Sequence, residues 1–202
     1  LGAVRDDQCE IAAGGNIDVM DISQTNAGGN GTILLTTESG TIHVLAAGTG
    51  VTTLGTGTIT LTAAGGTSDV LVDDVITSTT GQITVNAGQD ITNTAIISAT
   101  GAGVIDLNAT RNINQQANVT SAGGVITADA TNGAITMLDG TLTQTSGAGT
   151  IAYTAGTDVV LSILSGASTV NVTAGNLGAT GAITEVLTGE GANIIGTTAT
   201  LN

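Results

Sequence analysis

The sequence predicts an all-β protein, a parallel β-helix (β-solenoid) of about 8–9 coils with roughly 19–26 residues per coil. A seven-residue phrase of glycine, polar, Ile, polar, Leu or Val, polar and Ala recurs, as in Gly57–Ala63 and Gly81–Ala87. Its apolar side chains alternate with period two, which is typical of a strand with one buried face. The 202 residues include no Pro, which would remove backbone donors from strands that pair on both sides.

Copies of the phrase follow one another along most of the chain. Two short copies begin at Gly31 and Gly40, and six well-formed copies begin 19 to 25 residues apart when counted by their third residue, at positions 59, 83, 105, 126, 151 and 170. After a turn, a second short strand follows, as at Asp69–Val72, and a third apolar piece sometimes comes next, as at Ala95–Ile97. Each coil is therefore predicted to contain two or three short strands joined by Gly, Asn and Asp turns.

A coil of this size has no core of its own, so neighbouring coils must stack in register to bury its apolar edge. Stacking predicts a first internal ladder of Ile59, Ile83, Ile105, Ile126, Ile151 and Val170. It predicts a second ladder of Leu61, Val85, Leu107, Ala128, Tyr153 and Val172. At the corners, we expect glycine to supply a positive φ or a close backbone approach, and Asn and Asp to bond local backbone groups. The stack would be a rod about 40 Å long.

The regularity of the repeats suggests two regions. Residues 1–30 are expected to form an irregular N-terminal edge coil or cap, and residues 31–202 one continuous solenoid domain. An antiparallel sandwich or a set of immunoglobulin-like modules is the rival fold, and the absence of Trp, of Pro and of a Cys pair counts against it. Hydrophobic residues make up 41% of the chain, which counts against disorder.

The charge balance excludes some classes of partner. With two basic residues, 16 acidic ones and a net charge of −14, the chain has no surface for nucleic acid or for anionic lipid. No apolar run is long enough to span a membrane, and no signal peptide opens the chain, so we expect a mature, processed or excised polypeptide. Cys9 has no partner in the sequence and is predicted to be a small buried thiol.

Few residues offer chemistry. His43 is predicted to point outward from a strand, and without a second His it cannot build a zinc site. The adjacent carboxylates Asp73 and Asp74 lack the aromatic platforms of a sugar-binding cleft. The stretch Gly65–Asp69 only partly matches the calcium-binding nonapeptide and is interpreted as a corner. We therefore predict no catalytic, cofactor-binding or metal residues, no cofactor and no enzymatic activity.

An outward row of threonines and four glycosylation sequons are two further patterns in the sequence, and neither is taken as a functional site. Thr58, Thr60 and Thr62 form an outward row that suggests an ice-binding face. The same rows of the next coils hold other residues, namely Gln82, Thr84 and Asn86 and then Val104, Asp106 and Asn108. Four Asn-x-Thr sequons are attributed to the abundance of both residues, and they begin at Asn30, Asn108, Asn118 and Asn171.

The phrase Gly-x-Ile-x-Leu-x-Ala followed by Ala-Gly-x-Asp-Ile resembles the repeats of filamentous-haemagglutinin-like bacterial adhesins, over roughly residues 31–174. The resemblance implies a right-handed parallel β-helix, an extracellular or cell-surface location, and a stalk or fibre role. The chain ends in residues 197–202, which still alternate like a strand and show no cap. Uncapped ends favour head-to-tail stacking of copies, or further repeats of the same polypeptide.

We therefore expect a structural extracellular protein, the stalk of a surface adhesin or the subunit of a fibre, for example in a biofilm. A β-helical polysaccharide-acting enzyme and an ice-binding solenoid are the alternatives. The enzyme would need clustered acidic and basic side chains in a groove, which two basic residues make difficult to build.

Overall fold

The computed structural model describes residues 8–24, 31–176, 178, 180–186 and 193–202, and this part of the chain contains strands and turns but no helix. Its strands, numbered β1 to β25 in chain order, pair in parallel and form three sheets. Each turn of the chain adds one strand to each sheet. The structure thus confirms the predicted β-solenoid, with three strands in every turn rather than two or three.

The three sheets run along the same stack of coils. The first has nine strands, in the order β1 (Gln8–Ala13), β4 (Thr32–Thr37), β7 (Ile59–Ala63), β10 (Ile83–Ala87), β13 (Ile105–Ala109), β16 (Ile126–Ala130), β19 (Ile151–Ala155), β22 (Thr169–Thr173) and β25 (Thr198–Leu201). The second has eight strands: β2 (Ile17–Val19), β5 (Ile42–Val44), β8 (Val70–Val72), β11 (Ile91–Asn93), β14 (Ile113–Gln115), β17 (Ile135–Met137), β20 (Val159–Leu161) and β23 (Ile183–Glu185). The third also has eight: β3 (Asp21–Gln24), β6 (Gly50–Thr53), β9 (Ile76–Ser78), β12 (Ile97–Ala99), β15 (Val119–Ser121), β18 (Leu142–Thr145), β21 (Ile163–Gly166) and β24 (Ile194–Ile195).

The register of the first sheet agrees with the predicted ladders. Ile83 pairs with Ile59 on one side and with Ile105 on the other, and the same column continues to Val170. All members of both predicted ladders are buried, and Cys9 is buried at the start of the first ladder, as predicted. The last turn is longer than expected, because eight residues connect β23 to β24 where one residue connects β20 to β21.

Residues 8–24 are an edge coil, but a regular one. They form β1, β2 and β3, which pair in register with β4, β5 and β6. The irregularity expected for residues 1–30 is therefore not found in this part, because Ile17 and Val19 alternate with polar residues and bury against the next coil. Residues 1–7 and 25–30 lie outside the described residues.

Glycine begins each phrase because the corners of successive coils touch there. A Cβ atom on Gly81 would lie 1.7 Å from the carbonyl oxygen of Gly57, and one on Gly124 would lie 2.0 Å from that of Gly103. Neither Gly81 nor Gly124 has a positive φ. Of the two reasons expected for these glycines, close backbone approach is the one that applies.

Asn and Asp residues at the corner between the first and second sheets bond from one coil to the next. Oδ1 of Asp69 accepts a hydrogen bond from the Asp90 amide at 3.0 Å, and Oδ1 of Asp90 accepts one from the Asn112 amide at 3.0 Å. Asn112 and Asp158 repeat the pattern in later coils. The expected bonding to local backbone is corrected here, because these side chains serve amides 21 to 24 residues further along.

The glycine column gives a direct test of coil stacking. We expect Gly81→Ala to lower the free energy of unfolding by about 1–3 kcal/mol or more, because the added methyl group overlaps the Gly57 carbonyl. Gly66→Ala is the matched control, since its Cβ would meet nothing within 4 Å. Urea unfolding followed by circular dichroism measures both. Equal stability of the two variants would contradict close stacking at this corner.

Candidate functional surface

His43 lies on the outward face of β5, as predicted, but it is not isolated. Its Nε2 atom is 2.7 Å from Oδ2 of Asp73, and the other carboxylate oxygen, Oδ1, accepts a hydrogen bond from the Thr94 hydroxyl at 2.6 Å. These hydrogen bonds, from Thr94 first and from His43 second, hold the pKa of Asp73 below its usual value. Sequence reasoning missed this pair because the two residues are 30 positions apart and meet only when coils stack.

The second carboxylate of the acidic pair is bound to backbone amides. Oδ1 of Asp74 accepts a hydrogen bond from the Val75 amide at 2.8 Å, and its Oδ2 accepts one from Gly48 at 3.2 Å. Asp73 and Asp74 thus point to different partners. The arrangement joins neighbouring coils.

The stretch Gly65–Asp69 forms a corner, as interpreted from the sequence. The Ser68 amide donates to the carbonyl oxygen of Gly65 at 2.8 Å, and the Asp69 carboxylate accepts the Asp90 amide described above. Within the described residues, no three His, Cys, Asp or Glu side chains gather in a group that could hold a metal ion. Through the Asp69 carboxylate, this corner links one coil to the next.

Arg111 also connects coils. Its Nε atom donates to Oδ1 of Asp90 at 2.8 Å, and its terminal nitrogen contacts the other carboxylate oxygen. Asp90 further accepts bonds from the backbone amide and the side-chain amide of Asn112. The pKa of Asp90 is held below its usual value, chiefly by Arg111 and then by the Asn112 amide.

A buried polar cluster lies inside the solenoid around the one Tyr of the sequence. The Tyr153 hydroxyl donates to Oε1 of Gln115 at 2.5 Å and lies 2.6 Å from the Thr143 hydroxyl, and Nε2 of Gln115 donates to Thr143 at 3.0 Å. In the first sheet, Tyr153 pairs with the small Ala128, which leaves room for its ring. The phenol is fully buried and its pKa is raised by desolvation. Hydrogen bonds of this kind satisfy buried polar groups and fix the register between neighbouring coils.

The outward face of the first sheet carries the rows of polar side chains that suggested an ice-binding surface. Thr60 pairs with Thr84, and Thr84 pairs with Asp106 in the next coil, so the threonine row ends within three coils, as the sequence indicated. In the next row, Asn108 donates to Asn86, which donates to Thr62, at 3.1 and 3.2 Å. These polar side chains bond one another along the rod.

The sequons lie in different surroundings. Asn108 and Asn171 are outward residues of the first sheet, whereas the side-chain oxygen of Asn118 accepts the Leu142 amide at 2.8 Å in a corner. Asn30 lies outside the described residues.

The two ends of the described stack expose core positions. At the first coil, Ile11, Ile17 and Ile22 border an open depression. At the last coil, Leu201 follows Tyr153 and Val172 in the second ladder, yet it is 55% exposed while they are buried. Among the described strands, β1 and β25 each pair on one side only.

Comparison with known proteins yields no relative. The chain matches no protein-family model, no curated protein and no solved structure. No helix within the described residues is long and apolar enough to cross a membrane. The resemblance to filamentous-haemagglutinin-like repeats therefore stays a prediction.

The lowered pKa of Asp90 predicts a pH-dependent contribution to stability. Because the folded-state pKa lies below the unfolded value of about 3.9, the contribution is complete above about pH 5 and is lost as pH falls through the folded value. We expect wild type to be more stable than Asp90→Asn at pH 6, with a difference that shrinks towards pH 3. Urea unfolding of both proteins at several pH values measures this difference. A constant difference would contradict the ion-paired carboxylate.

Proposed function

We propose that this chain is a structural extracellular protein, the stalk of a surface adhesin or the subunit of a fibre extended by end-to-end stacking of coils. The observation that carries the proposal is the in-register stacking of coils in three parallel sheets, which continues from β1 to β25. Leu201 belongs to the second ladder and is 55% exposed, and β25 offers an edge that is unpaired among the described residues. An edge of this kind accepts another parallel strand, from a second copy or from further repeats.

The side chains with acid–base character support a structural role. Asp69, Asp73, Asp90 and Asp158 each bond a group in a neighbouring coil, and Arg111 and His43 pair with two of them. In the proposed stalk or fibre these contacts resist separation of the coils along the rod. The surface location and the adhesin class rest on the resemblance of the repeats, and no enzyme, cofactor or membrane insertion belongs to this proposal.

End stacking is tested by charging the exposed core position. Leu201→Glu puts a carboxylate where a following coil would bury it, whereas Thr200→Glu adds the same charge to the outward side of the same strand. Electron microscopy of the wild-type chain is expected to show linear particles longer than a single rod of about 40 Å. We expect Leu201→Glu to shorten them to single rods and Thr200→Glu to leave them long.

Single wild-type rods at every concentration would contradict the fibre form of the proposal. Turnover in a screen of acidic and neutral polysaccharides would overturn the structural assignment and favour the enzyme alternative. Thermal hysteresis of the wild-type solution would favour the ice-binding alternative.

A further inference from the structure

One side of the solenoid differs from the others in charge. This side consists of the outward residues of β6, β9, β12, β15, β18, β21 and β24, the residue directly before each of these strands, and the corners that lead back to the first sheet. It includes no charged residue within the described part of the chain. We call this surface the neutral face. It is unusual in a chain with a net charge of −14.

The acidic residues lie on the remaining sides. Asp106 and Asp129 are outward residues of the first sheet, and Asp69, Asp90 and Asp158 occupy its corner with the second sheet. Three further carboxylates belong to the corners between the second and third sheets, at Asp73, Asp74 and Asp139. Asp21, on β3, borders the neutral face at one end of the rod. Two copies that approach by any other side would bring like charges together.

The side chains of the neutral face are suited to a contact without charges. One column holds partly exposed apolar residues at Val75, Ile96, Leu142 and Ile163, interrupted by Asn118, and Ile96 is 44% exposed. The next column holds hydroxyl groups, among them Ser98 and Thr120, which pair in register. Burial of the first column removes apolar surface from water, and the second column can donate and accept hydrogen bonds across an interface.

We propose that the neutral face is the surface through which two copies of this chain associate side by side. An antiparallel two-fold arrangement fits best, because it places the two Asp21 carboxylates at opposite ends of the pair. This contact is independent of end-to-end stacking, which uses the first and last coils. Together the two contacts would turn single rods into paired filaments.

The size of the neutral face sets the strength of the contact. Seven strands spaced about 4.8 Å apart give a length of about 30 Å, and a width of about 10–15 Å gives roughly 300–450 Å² per copy. A standard interface buries about 800 Å² per partner, so the pairing of two chains is weak. It gains strength when several faces are linked in a longer rod. Salt favours it, because salt screens the repulsion between the two acidic chains.

Sedimentation equilibrium of the full chain tests the proposal. Ser98→Glu and Thr120→Glu place a carboxylate on the neutral face, and Thr136→Glu places the same charge on the exposed outward side of β17. On the Leu201→Glu background, in which end stacking is blocked, we expect the chain and its Thr136→Glu variant to form dimers that increase between ~0.05 M and ~0.5 M salt, as the Debye length shortens. We expect each neutral-face variant to weaken dimerisation at least tenfold.

Ile96→Ser is a second variant, which removes apolar area without adding charge, and it is expected to weaken dimerisation in the same direction. Circular dichroism verifies that each variant is folded. A Leu201→Glu chain that stays monomeric at both salt concentrations would overturn the proposal. So would association that Leu201→Glu abolishes while Ser98→Glu leaves it intact, because that pattern belongs to end stacking.

Discussion

Pairing of each strand with its equivalents in the coils before and after is the interaction on which this structure depends. A single coil has three short strands and no core, so Ile83 is buried only because Ile59 and Ile105 lie on either side of it. Parallel, in-register pairing gives every inward side chain two like neighbours, and aliphatic residues fill the narrow interior without large aromatic rings. Tyr153 is the exception, and its hydroxyl requires the buried partners Gln115 and Thr143.

The residues at the corners allow the coils to stack closely and in register. Successive coils approach so closely at the end of the third sheet that Gly81 and Gly103 tolerate no Cβ atom. At the corner between the first and second sheets, carboxylate and amide oxygens accept backbone donors from the following coil, as Asp69 does for Asp90. In the described part of the chain, most of the acidic residues accept a hydrogen bond from another residue, and none of them lies on the neutral face.

The sequence was sufficient to predict the fold and both internal ladders, because a period of about 24 residues and a strand period of two leave one register for Ile59, Ile83 and their equivalents. Three features depend on knowing which coils meet. The His43–Asp73 pair and the Tyr153 cluster join residues from different turns, and the bonding of Asp69 to the following coil shows only in the structure. The neutral face emerges once the third strands of all turns are aligned.

If the coil is the structural unit of this chain, the protein should fold after the removal of one whole coil, and this removal is the most direct test. Deleting residues 83–104 would join Gln82 to Ile105, which occupies the place of Ile83 in the first ladder. We expect this deletion variant to fold cooperatively. Its rod, measured by small-angle X-ray scattering, should be about 4.8 Å shorter than that of the wild type. Deletion of residues 83–93 removes only β10 and β11 and should unfold the stack. If both deletion variants lose their structure, the coil is not the structural unit of the fold.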